Sequence, residues 1–85
     1  MSKEEKQIER LKLLPTDYTY TEAKALALRF GYTEFNKGKT SGSRVLLMRQ
    51  SDGKKIMLHK PHPGDVMKKY AVKDLLEAFE RNGDL

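Results

Sequence analysis

Arg44-Val45-Leu46-Leu47-Met48-Arg49-Gln50-Ser51-Asp52-Gly53-Lys54-Lys55-Ile56-Met57-Leu58-His59 is the stretch on which the fold turns. Two strand-like runs flank an Asp-Gly step, among the strongest short hairpin signals a sequence carries. With Asp52 and Gly53 as the two central turn residues, Ser51 faces Lys54, Arg49 faces Ile56, Leu47 faces Leu58 and Leu46 faces His59. Side chains alternate along a strand. One sheet face then carries Val45, Leu47, Ile56 and Leu58, and the other carries Arg44, Leu46, Met48, Met57 and His59. A slip of one residue would scramble both sets.

On the N-terminal side, Tyr32-Thr33-Glu34-Phe35 alternates aromatic with polar residues and suits a short half-buried strand. Before it, Thr19-Tyr20-Thr21-Glu22 has the form of a capping box, with Tyr18 at the staple position, which predicts a helix from about Tyr20 to Phe30. Gly31 sits where a left-handed stop is wanted. Further upstream, Ile8, Leu11 and Leu14 make a narrow apolar stripe in a charge-rich stretch that Pro15 ends, as in a short helix laid on a neighbour. The aromatics Tyr18, Tyr20, Tyr32 and Phe35 are read as core rather than as stacking platforms.

On the C-terminal side, Lys60-Pro61-His62-Pro63-Gly64 cannot continue a central strand, because each proline lacks an amide donor. From about Val72 to Arg81, Val72, Leu75, Leu76 and Phe79 have amphipathic-helix spacing, and Asn82-Gly83 closes the helix. Lys37-Gly38-Lys39-Thr40-Ser41-Gly42-Ser43 reads as a basic loop without the spacing of a nucleotide-binding P-loop. The order helix, helix, strand, strand, strand, helix, with no repeat or linker, predicts one α+β domain: a three-stranded antiparallel sheet with helices on one face.

A chain of 85 residues is one domain's worth, and 38% hydrophobic with 34% charged residues suits a small folded domain rather than a disordered chain. It has no cysteine, so neither disulfides nor a thiolate metal site stabilise it, and cytoplasmic residence is expected. No stretch has signal-peptide or membrane-span character. The net charge of +5 is unevenly spread. Between Lys37 and Lys69 stand nine basic residues (Lys37, Lys39, Arg44, Arg49, Lys54, Lys55, Lys60, Lys68, Lys69) against Asp52 and Asp65, a local balance of +7, while the rest holds eight basic and ten acidic residues, a balance of −2. Such segregation marks the middle of the chain as a candidate polyanion face, over an ordinary solvating coat.

Both histidines, His59 and His62, lie in or beside the proline-rich loop. An imidazole, with an ordinary pKa of about 6.5, suits proton transfer near neutrality. Metal-free RNA cleavage needs that, since the 2′-hydroxyl must lose a proton and the leaving 5′-oxygen must gain one. The alternative is that His59 is a rim residue and His62 orders the loop. Two histidines without cysteines or a spaced carboxylate are too few for a closed zinc site, and no cofactor is expected.

The run Gly38-Lys39-Thr40-Ser41-Gly42-Ser43, the hairpin, His59-Lys60-Pro61-His62-Pro63-Gly64, Lys68-Lys69 and the helix after them resemble the HicA (YcfA-like) family, as do Asp17-Tyr18-Thr19-Tyr20-Thr21-Glu22 and Phe30-Gly31-Tyr32. The resemblance spans roughly residues 10 to 83 and leaves about residues 1 to 15 as an N-terminal helical extension. It implies a double-stranded-RNA-binding-domain-like α-β-β-β-α fold. It also implies a toxin that cleaves mRNA under the control of a HicB antitoxin. RNA contacts are expected from Ser43 and from Lys37, Lys39, Arg49, Lys54, Lys55, Lys60, Lys68 and Lys69, and the free protein is expected to be a monomer. The family's catalytic histidine follows the Gly-Ser step, where this chain has Arg44. A guanidinium stays protonated and cannot act as a base, although it can clamp a phosphate. His59 or His62 would then move the proton.

Three readings follow: an mRNA-cleaving toxin with Arg44, His59 and His62 at its site; a binding module of the same fold that has lost cleavage; and a domain whose basic face meets an acidic partner other than RNA.

Overall fold

The computed structural model describes residues 2–35, 44–61 and 64–85. Helices and strands follow as α1 (Lys3–Lys12), α2 (Tyr20–Arg29), β1 (Thr33–Phe35), β2 (Arg44–Arg49), β3 (Lys54–His59) and α3 (Lys69–Arg81). The strands form one open antiparallel sheet in the order β1-β2-β3, an α+β arrangement.

Capping boxes open α1 (Ser2 with Glu5) and α2 (Thr19 with Glu22), each satisfying amide donors that the helix leaves unpaired. Beyond the C-cap Phe30, Gly31 takes a φ of +95°, its N–H donates to Leu28 at 3.0 Å, and the N–H of Tyr32 donates to Ala27 at 3.0 Å. This is the Schellman pairing, and the left-handed residue costs least as glycine. α3 ends in the same way, with the N–H groups of Gly83 and Asp84 donating to Glu80 at 3.1 Å and Phe79 at 2.8 Å. Tyr32 and Asp84 thus occupy equivalent places after the two helices.

α3 starts at Lys69, about three residues before the predicted Val72. Its first turn leaves Lys69 and Tyr70 exposed, so no apolar periodicity announces it. Just ahead of it the chain is stitched to the start of α2. Tyr20 N–H donates to the Asp65 carbonyl (2.7 Å), Met67 N–H to the Tyr18 carbonyl (2.8 Å), and Thr21 Oγ1 to the Asp65 carboxylate (2.6 Å).

The hairpin register differs from the one the two-residue turn predicts. Arg44 pairs with His59, Val45 with Leu58, Leu47 with Ile56 and Arg49 with Lys54, a shift of two residues. The loop is the four residues Gln50 to Gly53, with Gly53 N–H bonded to the Arg49 carbonyl at 2.8 Å and Gly53 at φ +73°. A two-residue Asp-Gly turn of type I′ needs positive φ at both positions, and Asp52 does not adopt it. Instead its carboxylate accepts from Arg49 Nε (3.0 Å), Arg49 Nη2 (2.8 Å) and Lys54 N–H (3.2 Å). Because the shift is even, both predicted faces survive.

The helices cover one face. Val45, Leu47, Ile56 and Leu58 join Leu11, Tyr18, Leu26, Tyr32, Val72, Leu75 and Phe79 in the core. Tyr18, Tyr20 and Tyr32 are buried, as the core reading expects, whereas Phe35 is only half-buried and lies on the opposite face.

Candidate nucleic-acid interface

The face turned away from the helices is built in cross-strand rows. Arg44 lies beside His59; Phe35, Leu46 and Met57 form the next row; Thr33, Met48 and Lys55 form the third. Rows two residues apart along a strand are about 7 Å apart. Arg44, Lys55, Met57 and His59 are exposed, and Phe35, Leu46 and Met48 are half-buried. None of them belongs to the core or to the half-buried apolar residues packed against it. The described residues of this face include no carboxylate.

The two-residue turn would make Arg44 and His59 diagonal neighbours. The observed register sets them directly opposite. Facing residues on one side of an antiparallel pair have Cβ atoms about 4.5–5.5 Å apart, so both can reach one phosphodiester.

This end of the sheet also receives the starts of α2 and α3. Tyr20, the first residue of α2, donates through its hydroxyl to Glu34 of β1 (2.5 Å), and Lys60 Nζ lies 5.8 Å from the Tyr20 ring centroid. At the other end Arg49 bonds the Phe30 carbonyl and Asp84, beyond the helix C-termini. The positive ends of both helix dipoles therefore lie toward the Arg44–His59 end. The α2 start is already satisfied by Thr19, Glu22 and Asp65, whereas Lys68 caps α3 without any side-chain hydrogen bond. Glu34 is neutralised locally: the Tyr20 hydrogen bond, then Lys24 at 3.1 Å and Lys60, hold its carboxyl below the ordinary value.

The residues expected to contact RNA divide into groups. Lys60 sits at the Arg44–His59 end, with exposed Lys68 and Lys69 opening α3 nearby. Lys54 and Lys55 lie toward the hairpin loop and on opposite faces, since only Lys55 shares the parity of Met57 and His59. Arg49 is a structural residue: its guanidinium bonds Asp52, Asp84 and the Phe30 carbonyl and stacks 4.7 Å from the Tyr32 ring centroid. It has no donor fork left to offer a phosphate. Lys37, Lys39, Ser43 and His62 lie outside the described residues. A depression of about 390 Å³ lined by Phe30, Gly31, Thr33, Arg49, Gln50 and Ser51 lies at the hairpin end, away from Arg44 and His59.

Sequence patterning does not mark the row of Phe35, Leu46 and Met57 as a surface. Strand alternation already placed Leu46 and Met57 with Arg44; the missing information was that no described helix covers them. Among the described residues no group of three His, Asp or Glu could hold a metal ion, and no helix is long and apolar enough to cross a membrane. Compared with protein-family models, with curated proteins and with solved structures, the chain matches none.

Proposed function

We propose that this chain is a HicA-like toxin component of a toxin–antitoxin pair, an RNA-binding protein that cleaves mRNA without a metal and is restrained by a HicB-like antitoxin. The observation that carries the reading is Arg44 directly opposite His59 on a sheet face that no described helix covers and that carries no carboxylate among the described residues. The order α2-β1-β2-β3-α3, with α1 as an extension, is compatible with the family's double-stranded-RNA-binding-domain-like fold.

In this reading Arg44 holds the scissile phosphate and offsets charge that builds on its oxygens. His59 takes the proton from the 2′-hydroxyl, O2′ bonds to phosphorus, and the P–O5′ bond breaks as O5′ takes a proton from water, the hydroxide left behind being neutralised by the proton that His59 gives up. The products are a 2′,3′-cyclic phosphate and a 5′-hydroxyl end. Lys60, Lys68 and Lys69 add attraction for the backbone, which is the salt-dependent part of RNA affinity. Purified protein incubated with total RNA in EDTA tests this: cyclic phosphate ends support the reading, and intact RNA counts against cleavage.

Arg44 itself favours a second reading. It stands where the family carries its catalytic histidine, so the chain can equally be a silent relative that binds RNA or antitoxin without cutting. Salt-dependent RNA binding without cleavage would select it.

A further inference from the structure

We infer that the open face of the sheet is a platform for unpaired RNA, with base faces on the Phe35-Leu46-Met57 row and phosphates on Arg44 and Lys55. The inference rests on the RNA-binding reading above and adds which form of RNA is taken and by which surface.

The face has cationic residues at its two ends and an apolar row between them. On β3, Lys55 and His59 are four residues apart, about 14 Å, with Met57 midway between them. Met57 is 56% exposed, although an apolar side chain gains nothing from facing water. A single strand offers this face both things it lacks: base planes for the apolar row and phosphates for the cations. A duplex meets the cations only, because its base faces are stacked inside and its outer surface is ribose and phosphate. Two of the platform side chains, Met48 and Met57, are unbranched thioethers, which pack on aromatic rings of different shapes without demanding one base.

Size separates RNA from a protein occupant. Three strands about 4.8 Å apart and three rows about 7 Å apart cover roughly 10 by 14 Å. Stable protein interfaces bury about 800 Å² on each partner, several times this patch. A few nucleotides fit it.

The test uses the full chain with ¹³C-labelled methionine methyls, titrated with a 2′-O-methyl oligoribonucleotide that cannot be cut, first single-stranded and then annealed to its complement. Met48 and Met57 should shift with the single strand and not with the duplex, while Met67, buried in the core, stays in place. Phe35→Ala should weaken single-strand binding about tenfold, the usual size of one lost base stack, and leave duplex binding unchanged. RNA binding with Met48 and Met57 unmoved, or a duplex bound as tightly as the strand, would overturn the platform and leave the RNA-binding reading standing. Methionine shifts that track protein concentration without RNA would assign the face to a second copy and also overturn it. Failure to bind any RNA would remove both readings.

Discussion

The Tyr32 hydroxyl donates to the Asp84 carboxylate at 2.7 Å, joining the residue after the glycine stop of α2 to the residue after the glycine stop of α3. Asn82 Nδ2 donates to the same hydroxyl at 2.9 Å, and Arg49 bonds the other Asp84 oxygen at 2.5 Å. Burial, then the bond to Asp84, raises the Tyr32 pKa, so the phenol remains a donor across the physiological range. Two helices and the central strand are tied at one point, at the end of the sheet opposite Arg44 and His59. Structural and candidate functional charges are thus kept apart.

Removing the cation from this tie should cost more than removing the pair. Arg49→Ala leaves Asp84, whose side chain is only 6% exposed, without its partner, and breaking such a pair costs about 3 kcal/mol. Arg49→Ala with Asp84→Asn should recover part of that loss in urea denaturation. Equal loss in the single and double variants would show that the charge on Asp84 is not what Arg49 answers. Gly31→Ala should also destabilise, since a Cβ there would stand 3.2 Å from Arg49 Cδ on a backbone at φ +95°.

The two sheet faces should respond differently to truncation. Leu47 is fully buried beneath the helices, so Leu47→Ala should cost about 2–5 kcal/mol. Met57→Ala, on the open face, should stay within about 0.5 kcal/mol. Thermal melts of the two variants give the comparison, and a similar loss at Met57 would mean that the open face is covered.

Acid should weaken the fold through the helix α2 cap. The hydrogen bond from Arg10, then the Thr19 amide and hydroxyl, pulls the Glu22 carboxyl below its ordinary 4.5. A depressed folded-state pKa contributes stability that is present above the unfolded value and lost as pH falls through the folded one. Glu34, held by Tyr20 and Lys24, adds in the same direction. Unfolding midpoints should therefore decline below about pH 4.5. Glu22→Gln should lower the midpoint at neutral pH and flatten the acid decline; an unaltered slope would place the acid sensitivity elsewhere.

If RNA is cut, His59→Ala should slow cleavage about 100- to 10,000-fold, the usual cost of losing one proton-transfer group, with the fold retained because His59 is exposed. His62→Ala, measured beside it, tests the other histidine. Cleavage unchanged by either substitution would rule out histidine-based chemistry. If RNA is bound but not cut, Arg44→His is the variant to measure, and activity gained by that single change would mark the natural chain as a binding relative.

Much of the architecture was legible locally. Thr19 and Glu22 mark the start of α2, Gly31 and Gly83 its stop and that of α3, and the alternation of β2 and β3 sorts Val45, Leu47, Ile56 and Leu58 from Arg44, Leu46, Met48, Met57 and His59. These features depend on one residue and its near neighbours, and such short-range chemistry is written in the order of the chain. The two-residue register shift was not legible, because Asp52 abandons the tight turn for hydrogen bonds from Arg49, which is itself anchored to Asp84. The Arg49–Asp52 contact is local, but the anchor that holds Arg49, Asp84, stands 35 positions along the chain. The long-range tie to Asp84 turned Arg49 from a candidate phosphate ligand into a structural residue, and the shifted register sets Arg44 directly across from His59. Parity along a strand needs no tertiary contact; which pairs face each other, and which face stays open, is decided only when distant side chains compete for the same partners.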